Sequence, residues 1–349
     1  MLRFVLLRGV GLLYVVAFAI VVNQGPLLLG HDGLTPIDLF LDRVKDNLGP
    51  EALTRLPTLF WLDDSDFALA ATGWLGLVLA VATLLGVSNA VVLAVLWVLH
   101  LSVVNAGQDW YGYGWETLLC EVGFLAIWLA PLTRWGPRAL PSPHPLWPWA
   151  WRWLAFRIML GAGLIKLRGD DCWQDLTCLV WHYETQPNPH PLSILFHWAP
   201  TWFHQAGALF NHVVELVAPW FLFGPRRLRA VAGVLMVLFQ VVLIASGNLA
   251  FLNWLTLVVC LAAFDDGHLS RLLPRLGAWL VPTPRNRYDT VPAVVIALLI
   301  GWRSVPVVHN LFFAERQAMN RSYDPLHLVN TYGAFGSVGN ERFEAVIQG

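Results

Sequence analysis

Gly161 to Pro191 reads GAGLIKLRGDDCWQDLTCLVWHYETQPNPHP. Lys166 closes an otherwise apolar run. A short polar loop with Cys172 and Cys178 follows, and a His182-Tyr183-Glu184-Thr185-Gln186 run is then stopped by prolines. The run that ends at Lys166 reaches back to Trp149. Residues 149–167 therefore make a window of about 20 mostly apolar residues, the length that crosses the hydrocarbon core of a bilayer. The stretch reads as a transmembrane helix leaving the membrane into a loop that carries most of the chain's distinctive chemistry.

Eight more windows of this kind flank it, at 4–22, 67–86, 88–105, 115–131, 206–223, 229–246, 248–264 and 291–308. Composition agrees. Only 13% of the 349 residues are charged and 57% are hydrophobic, whereas a soluble domain carries about 25% charged residues. The expected fold is an all-α polytopic integral membrane helical bundle of about nine spans, its first partner being membrane lipid. A net charge of −1 leaves no electrostatic footprint for nucleic acid. The first window lacks a small-residue cleavage site and reads as an anchor rather than a removed signal peptide.

Loop charges orient the bundle. With the N-terminus cytoplasmic, inside segments hold Arg3, Arg134, Arg138, Arg226, Arg227, Arg271, Arg275, Arg285 and Arg287. The first outside loop is acidic, with Asp32, Asp38, Asp42, Asp46, Glu51, Asp63, Asp64 and Asp66. This bias fixes orientation and puts the C-terminus outside. Tight hairpins are expected near Gly86 and Gly247. The first outside loop should hold a helix capped by Thr35-Pro36, with Asp38 completing a capping box and Gly49-Pro50 ending it. Leu269, Leu272, Leu273, Leu276 and Leu280 form an apolar stripe opposite Arg271 and Arg275, as in an interfacial helix. Residues 1–308 thus make a transmembrane domain. Residues 309–349 make an extracytoplasmic segment with two β-like runs, LHLVNTYGAFG and FEAVIQG, the start of a truncated or separately encoded soluble domain.

Polar residues inside lipid are expensive and face one another or a cavity. At the helical rise, Glu116, Glu121, Lys166, His212, Glu215, Gln240, Asn248 and Asn253 fall in the outer parts of their spans, with Arg157 deeper and His182 and Glu184 on the loop above. They read as lining a polar cavity open to the outside, or alternatively as interhelical pairs that hold the bundle together. Lys166 stands out. Only Lys45 and Lys166 occur beside twenty arginines, and lysine, unlike arginine, loses its proton when desolvated. That makes Lys166 the candidate base. Cys172 and Cys178 suit a structural disulfide in an oxidising compartment, and lack the spacing of a redox dithiol. His182, His190, His197, His204 and His212 match no zinc spacing, and Asn211 to Glu215 is not HExxH, so neither metal nor cofactor is expected. No phosphate loop, GxSxG or dinucleotide fingerprint is present.

The chain resembles the lipase maturation factor family, through WYGYGWETLLCEVGFLAIWLAP at 110–131 and FRIMLGAGLIKLRGDDCWQDLTCLVWHYETQPNPHP at 156–191. The likeness continues through WFHQAGALFNHVVELVAPWFLFG at 202–224, FQVVLIASGNLAFLNWLT at 239–256 and LVNTYGAFGSVGNERFEAVIQG at 328–349. The resemblance implies a membrane protein that helps secreted lipases or other exported proteins mature. It would sit in the endoplasmic reticulum membrane of a eukaryote, or the plasma membrane of a bacterium. Members usually continue past the equivalent of VIQG into a soluble domain associated with clients. A more distant likeness is to the membrane domain of vitamin K-dependent γ-carboxylase, where a lysine in a run similar to AGLIKL followed by Trp173 is the proposed base. It implies a catalytic role for Lys166, as an alternative to the non-enzymatic reading. A transporter or a lipid- or quinone-binding protein ranks third, and for transport no inverted repeat is visible.

Overall fold

The structure is a computed structural model describing residues 1–132, 135–136, 142–281, 290–339 and 341–342. Helices lie over all nine apolar windows: Leu2–Leu29, Asp66–Leu85, Ala90–Ala106, Gly114–Leu129, Leu146–Arg168, Thr201–Phe223, Arg226–Ser246, Leu252–Cys260 and Thr290–Phe312. Five are long and apolar enough to cross a membrane, namely Leu2–Leu29, Asp66–Leu85, Thr201–Phe223, Arg226–Ser246 and Thr290–Phe312. Ala90–Ala106 and Leu252–Ala263 are shorter apolar helices. The protein is a helical membrane protein. Arg134, Arg138, Arg285 and Arg287, and the FEAVIQG run, lie outside the described residues.

The chain forms two compact units. One contains Met1–Trp151, Phe264–Val308 and Asn320–Asn330, and the other Arg152–Ala263, His309–Met319 and Thr331–Gly349. In the first, Leu2–Leu29 packs along Asp66–Leu85. Close approach of the two helices depends on glycine. A Cβ on Gly11 would lie 2.8 Å from the Leu84 backbone nitrogen, and one on Gly76 would enter the Phe18 ring. The hairpin at Gly86 forms because that residue takes φ 105°, a left-handed cap, with its N–H on the Ala82 and Thr83 carbonyls. Asn89 then caps the next helix by accepting from the Val92 N–H at 3.0 Å.

In the second unit, Gly247 is extended rather than left-handed. The end of Arg226–Ser246 is satisfied from outside the turn. The Ser246 carbonyl accepts from Gln186 Nε2 at 2.9 Å and from Ser193 Oγ at 2.7 Å, as a helix end with orphan carbonyls requires.

Three local expectations are corrected. The helix Ile37–Leu48 forms and ends at Gly49, but the capping box does not. Thr35 Oγ1 instead donates to the Leu28 carbonyl and accepts from Trp110 Nε1, while the Asp38 carboxylate takes the His31 ring. The Leu269–Leu280 stripe is two helices, Asp266–Leu272 and Pro274–Trp279, because Pro274 has no N–H for the first and suits the opening of the second. Finally, the described part of 309–349 holds no strand, only an isolated bridge between Ser322 and Asn330. Its backbone bonds to helix ends and side chains, as at Asn330 N–H to Glu121 and Gly336 carbonyl to Asp170 N–H. Among the described residues no strand ladder forms.

Candidate functional site

The helix Leu146–Arg168 carries small residues near its end. A Cβ on Gly163 would lie 2.6 Å from Leu216 Cδ2 and 3.0 Å from Glu215 Cβ. This glycine therefore admits the helix Thr201–Phe223 to close range. That second helix is irregular. It is α-helical over Thr201–His212, widens to a π turn at Val213–Val217, and tightens to 3₁₀ over Ala218–Phe223. Pro219 has no N–H for the Glu215 carbonyl, and its ring crowds that oxygen. A wide turn of this kind re-aims the side chain it carries, here Glu215.

Glu215 meets Lys166. Lys166 Nζ donates to Glu215 Oε1 at 2.6 Å and Oε2 at 2.7 Å, and to Asn211 Oδ1 at 3.1 Å. Asn211 Nδ2 donates to Glu215 Oε2 at 2.9 Å. All three side chains are buried, and Lys166 Nζ also lies 5.1 Å from the centre of the Trp173 ring. Three acceptors match the three N–H bonds of an ammonium, so the cluster is closed on itself. Lys166 stands two residues from the end of its own helix. Its partner, however, is fourteen residues into Thr201–Phe223, about 21 Å along it. The pair is central to that helix rather than at its mouth.

Above the pair, Cys172 and Cys178 have Cα atoms 4.8 Å apart and sulfurs at bonding distance. Trp173, Cys178, Ala208 and Val338 form an apolar cluster, with Phe335 against it. Trp173 Nε1 donates to the Phe335 carbonyl at 2.8 Å. A Cβ on Gly161 would meet the Tyr332 carbonyl and one on Gly169 the Gly336 carbonyl. The segment 331–339 is therefore bedded on the glycine face of the lysine-bearing helix. His182 is buried with its ring edge-on to Phe335. Burial, reinforced by the Lys166 charge, pushes its imidazole down to about 4.

The other singled-out residues disperse. His212 turns to the Trp173 carbonyl at 2.9 Å. Arg157 is buried about two and a half turns below Lys166, with its guanidinium 5.6 Å from the Trp153 ring centre. Gln240 is buried against the Met159 sulfur, and Asn253 is buried on its own helix. Glu184 is exposed, 3.5 Å from His197, and the Asn248 side chain is exposed. Glu116 and Glu121 belong to the first unit. Glu116 Oε2 lies 3.6 Å from His100 Nε2, and Glu121 Oε2 accepts from the Asn330 backbone N–H at 3.1 Å.

Asn211 and Asn330 are the residues that sequence reasoning missed. Asn211 had a visible signal, being one helical turn before Glu215 and so on its face. Asn330 had none, since its partner is 209 positions away. Among the described residues, no group of three His, Cys, Asp or Glu side chains is placed to hold a metal.

A buried lysine–carboxylate pair between span-length helices, roofed by a cysteine-braced loop, defines a polytopic membrane protein with an internal ionic core. Residues 1–271 match the family model described as the lipase maturation factor transmembrane domain, and the chain belongs to the lipase maturation factor family. It is 47% identical to lipase maturation factor 1 of Mus musculus and 44% identical to that of Homo sapiens, in each case over 99% of this chain and 65% of the relative. It is 36% identical to lipase maturation factor 2 of Rattus norvegicus, over 76% of this chain and 40% of that protein. The chain thus spans somewhat under two thirds of the length of these two lipase maturation factor 1 relatives. No solved structure matches.

Proposed function

We propose that this protein is a membrane-embedded maturation factor that assists secreted lipases, or other exported polypeptides, to reach active form. All nine helices over the apolar windows would serve as spans, with the N-terminus cytoplasmic and residues 309–349 on the extracytoplasmic side. Its compartment would be the endoplasmic reticulum membrane in a eukaryote or the plasma membrane in a bacterium. The Cys172–Cys178 pair would be oxidised there and would brace the loop over Lys166.

The observation that favours a non-enzymatic role is the closure of the lysine cluster. A general base needs a lone pair and an approach path to its substrate. Lys166 Nζ instead spends its three donor positions on Glu215 and Asn211. It reads as a buried tie between two helices that holds the bundle and its roof in one arrangement. Expression of this chain with a secreted lipase, in cells lacking their own maturation factor, should raise lipase activity per unit of secreted lipase mass without changing its transcript. A ratio no higher than that of the empty vector, across several lipases, would sink the proposal.

A further inference from the structure

Leu192 to Trp202 joins the loop beyond His182 to the helix Thr201–Phe223. Its short helix Ser193–His197 is inverted relative to a soluble surface. Ser193, which opens it, is 3% exposed, and its Oγ donates to the Ser246 carbonyl and accepts from Gln186 Nε2 and from the His190 N–H, while His197 at its other end is half-buried against Glu184. Ile194 is 60% exposed, Leu195 67% and Trp198 78%. The ring of Phe196 turns inward onto Tyr183 and Phe203. His204 Nε2 donates to the Ala199 carbonyl at 3.0 Å, fixing the bend at Pro200. A segment held rigidly with polar atoms inward and large apolar atoms outward needs an apolar solvent on its outer side.

The neighbouring helix identifies that solvent. Trp202, Ala206, Leu209, Val213, Val217 and Trp220 form one exposed stripe along it. Its two tryptophans are eighteen positions apart, about 27 Å at the helical rise. That approaches the thickness of a bilayer core of about 30 Å, with an indole at each boundary as interfacial belts have. Level agrees from a second direction, since Ser193 is bonded to the last residue of the span-length helix Arg226–Ser246. Ile194, Leu195 and Trp198 therefore continue a lipid-facing surface at the height of Trp202.

We infer that Leu192–Trp202 is an interfacial segment, seated at the headgroup–acyl boundary of the leaflet in which Thr201–Phe223 begins, with membrane phospholipid as its partner. Through Ser193 and Gln186 it would tie the loop that roofs Lys166 to the membrane surface.

The test uses the full chain in phosphatidylcholine nanodiscs, with nitroxide labels on Leu195→Cys and Trp198→Cys. Leu209→Cys serves as the reference within the span and Glu184→Cys as the exposed polar reference. Collision rates with oxygen and with a nickel chelate give depth. Both test labels should be oxygen-dominated and lie within about 10 Å of the phosphate level, shallower than the label at position 209. Nickel-dominated labels at 195 and 198, matching position 184 while 209 remains oxygen-dominated, would overturn the inference. So would nickel access at both sites that is lost only on adding a lipase, which would make the face a protein-docking surface. The unsubstituted protein gives an independent reading. A phosphatidylcholine bearing a diazirine near its glycerol should leave adducts on the 192–203 peptide, and adducts confined to the spans would also refute it.

Discussion

Replacing Lys166 by methionine keeps most of the side-chain volume and removes the charge. The Glu215 carboxylate then keeps its bond from Asn211 Nδ2 at 2.9 Å but loses the two ammonium contacts at 2.6 and 2.7 Å. Breaking a buried pair from one side leaves an uncompensated charge and costs about 3–5 kcal/mol. For comparison, an ordinary interhelical polar contact contributes about 0.6 kcal/mol. At roughly 2–4 °C per kcal/mol for a large domain, the unfolding midpoint should fall by about 6–20 °C. Glu215→Gln should fall similarly, because it strands the ammonium instead. The double variant Lys166→Met/Glu215→Met should recover most of the loss, leaving about 1–3 kcal/mol for the Asn211 amide, now without partners. Thermal unfolding of detergent-solubilised protein, followed by size-exclusion recovery, reads all three. If the double variant falls as far as the two single losses summed, the tie is not a coupled pair and the reasoning fails. If it is stable yet no longer raises lipase activity, the Lys166–Glu215 pair does more than tie the two helices together.

Other substitutions test the surroundings. Gly163→Ala puts a methyl 2.6 Å from Leu216 Cδ2 and should cost about 1–3 kcal/mol by overpacking, read in the same melt, with Gly301→Ala, in open space, as the neutral control. Cys172→Ser/Cys178→Ser opens a loop of separation 6 and should cost about 2 kcal/mol by the chain-entropy account; mass spectrometry after alkylation should show the pair oxidised in the parent protein. His182 is held neutral by burial, its pKa lowered to about 4 from an ordinary 6.5. The unfolded chain takes up the proton first, so the stabilising contribution is complete above about pH 6.5, declines as pH falls and is gone by about pH 4. That contribution is about 3 kcal/mol. His182→Phe should flatten this part of the stability–pH curve, and an unchanged curve would contradict the assignment.

Much of the fold was legible because hydrophobic length is the dominant signal in a membrane chain. The windows around Leu2–Leu29 and Arg226–Ser246 needed nothing beyond composition. Glycine positions were legible as turns, at Gly86, but not as contacts: nothing around Gly163 says that Leu216 lies against it. The β-like reading of 326–336 failed for a related reason. Alternation describes a segment's own periodicity, whereas this one satisfies its carbonyls on Trp173 and Asp170, far away in sequence. At the site, Lys166 and Glu215 were recognised as individually unusual, and their pairing depends on the π turn at Val213–Val217. Pro219 was the visible cause of that turn, but the direction in which the helix would yield was not readable.

The same geometry changes what the rarity of lysine means. A chain with twenty arginines and two lysines invites the view that Lys166 was retained for a titratable amine, with Lys166→Arg as the test. The cluster offers a second reason. Nζ sits between both Glu215 oxygens and Asn211 Oδ1, over the Trp173 ring, one turn after a glycine that leaves no spare volume. That site accommodates a compact point charge. A guanidinium is planar, larger and needs its fork aligned with the carboxylate, so arginine would be excluded by shape whether or not the amine reacts. Loss of function in Lys166→Arg therefore does not discriminate. The apolar double variant does, because it removes the amine while leaving the two helices free to pack.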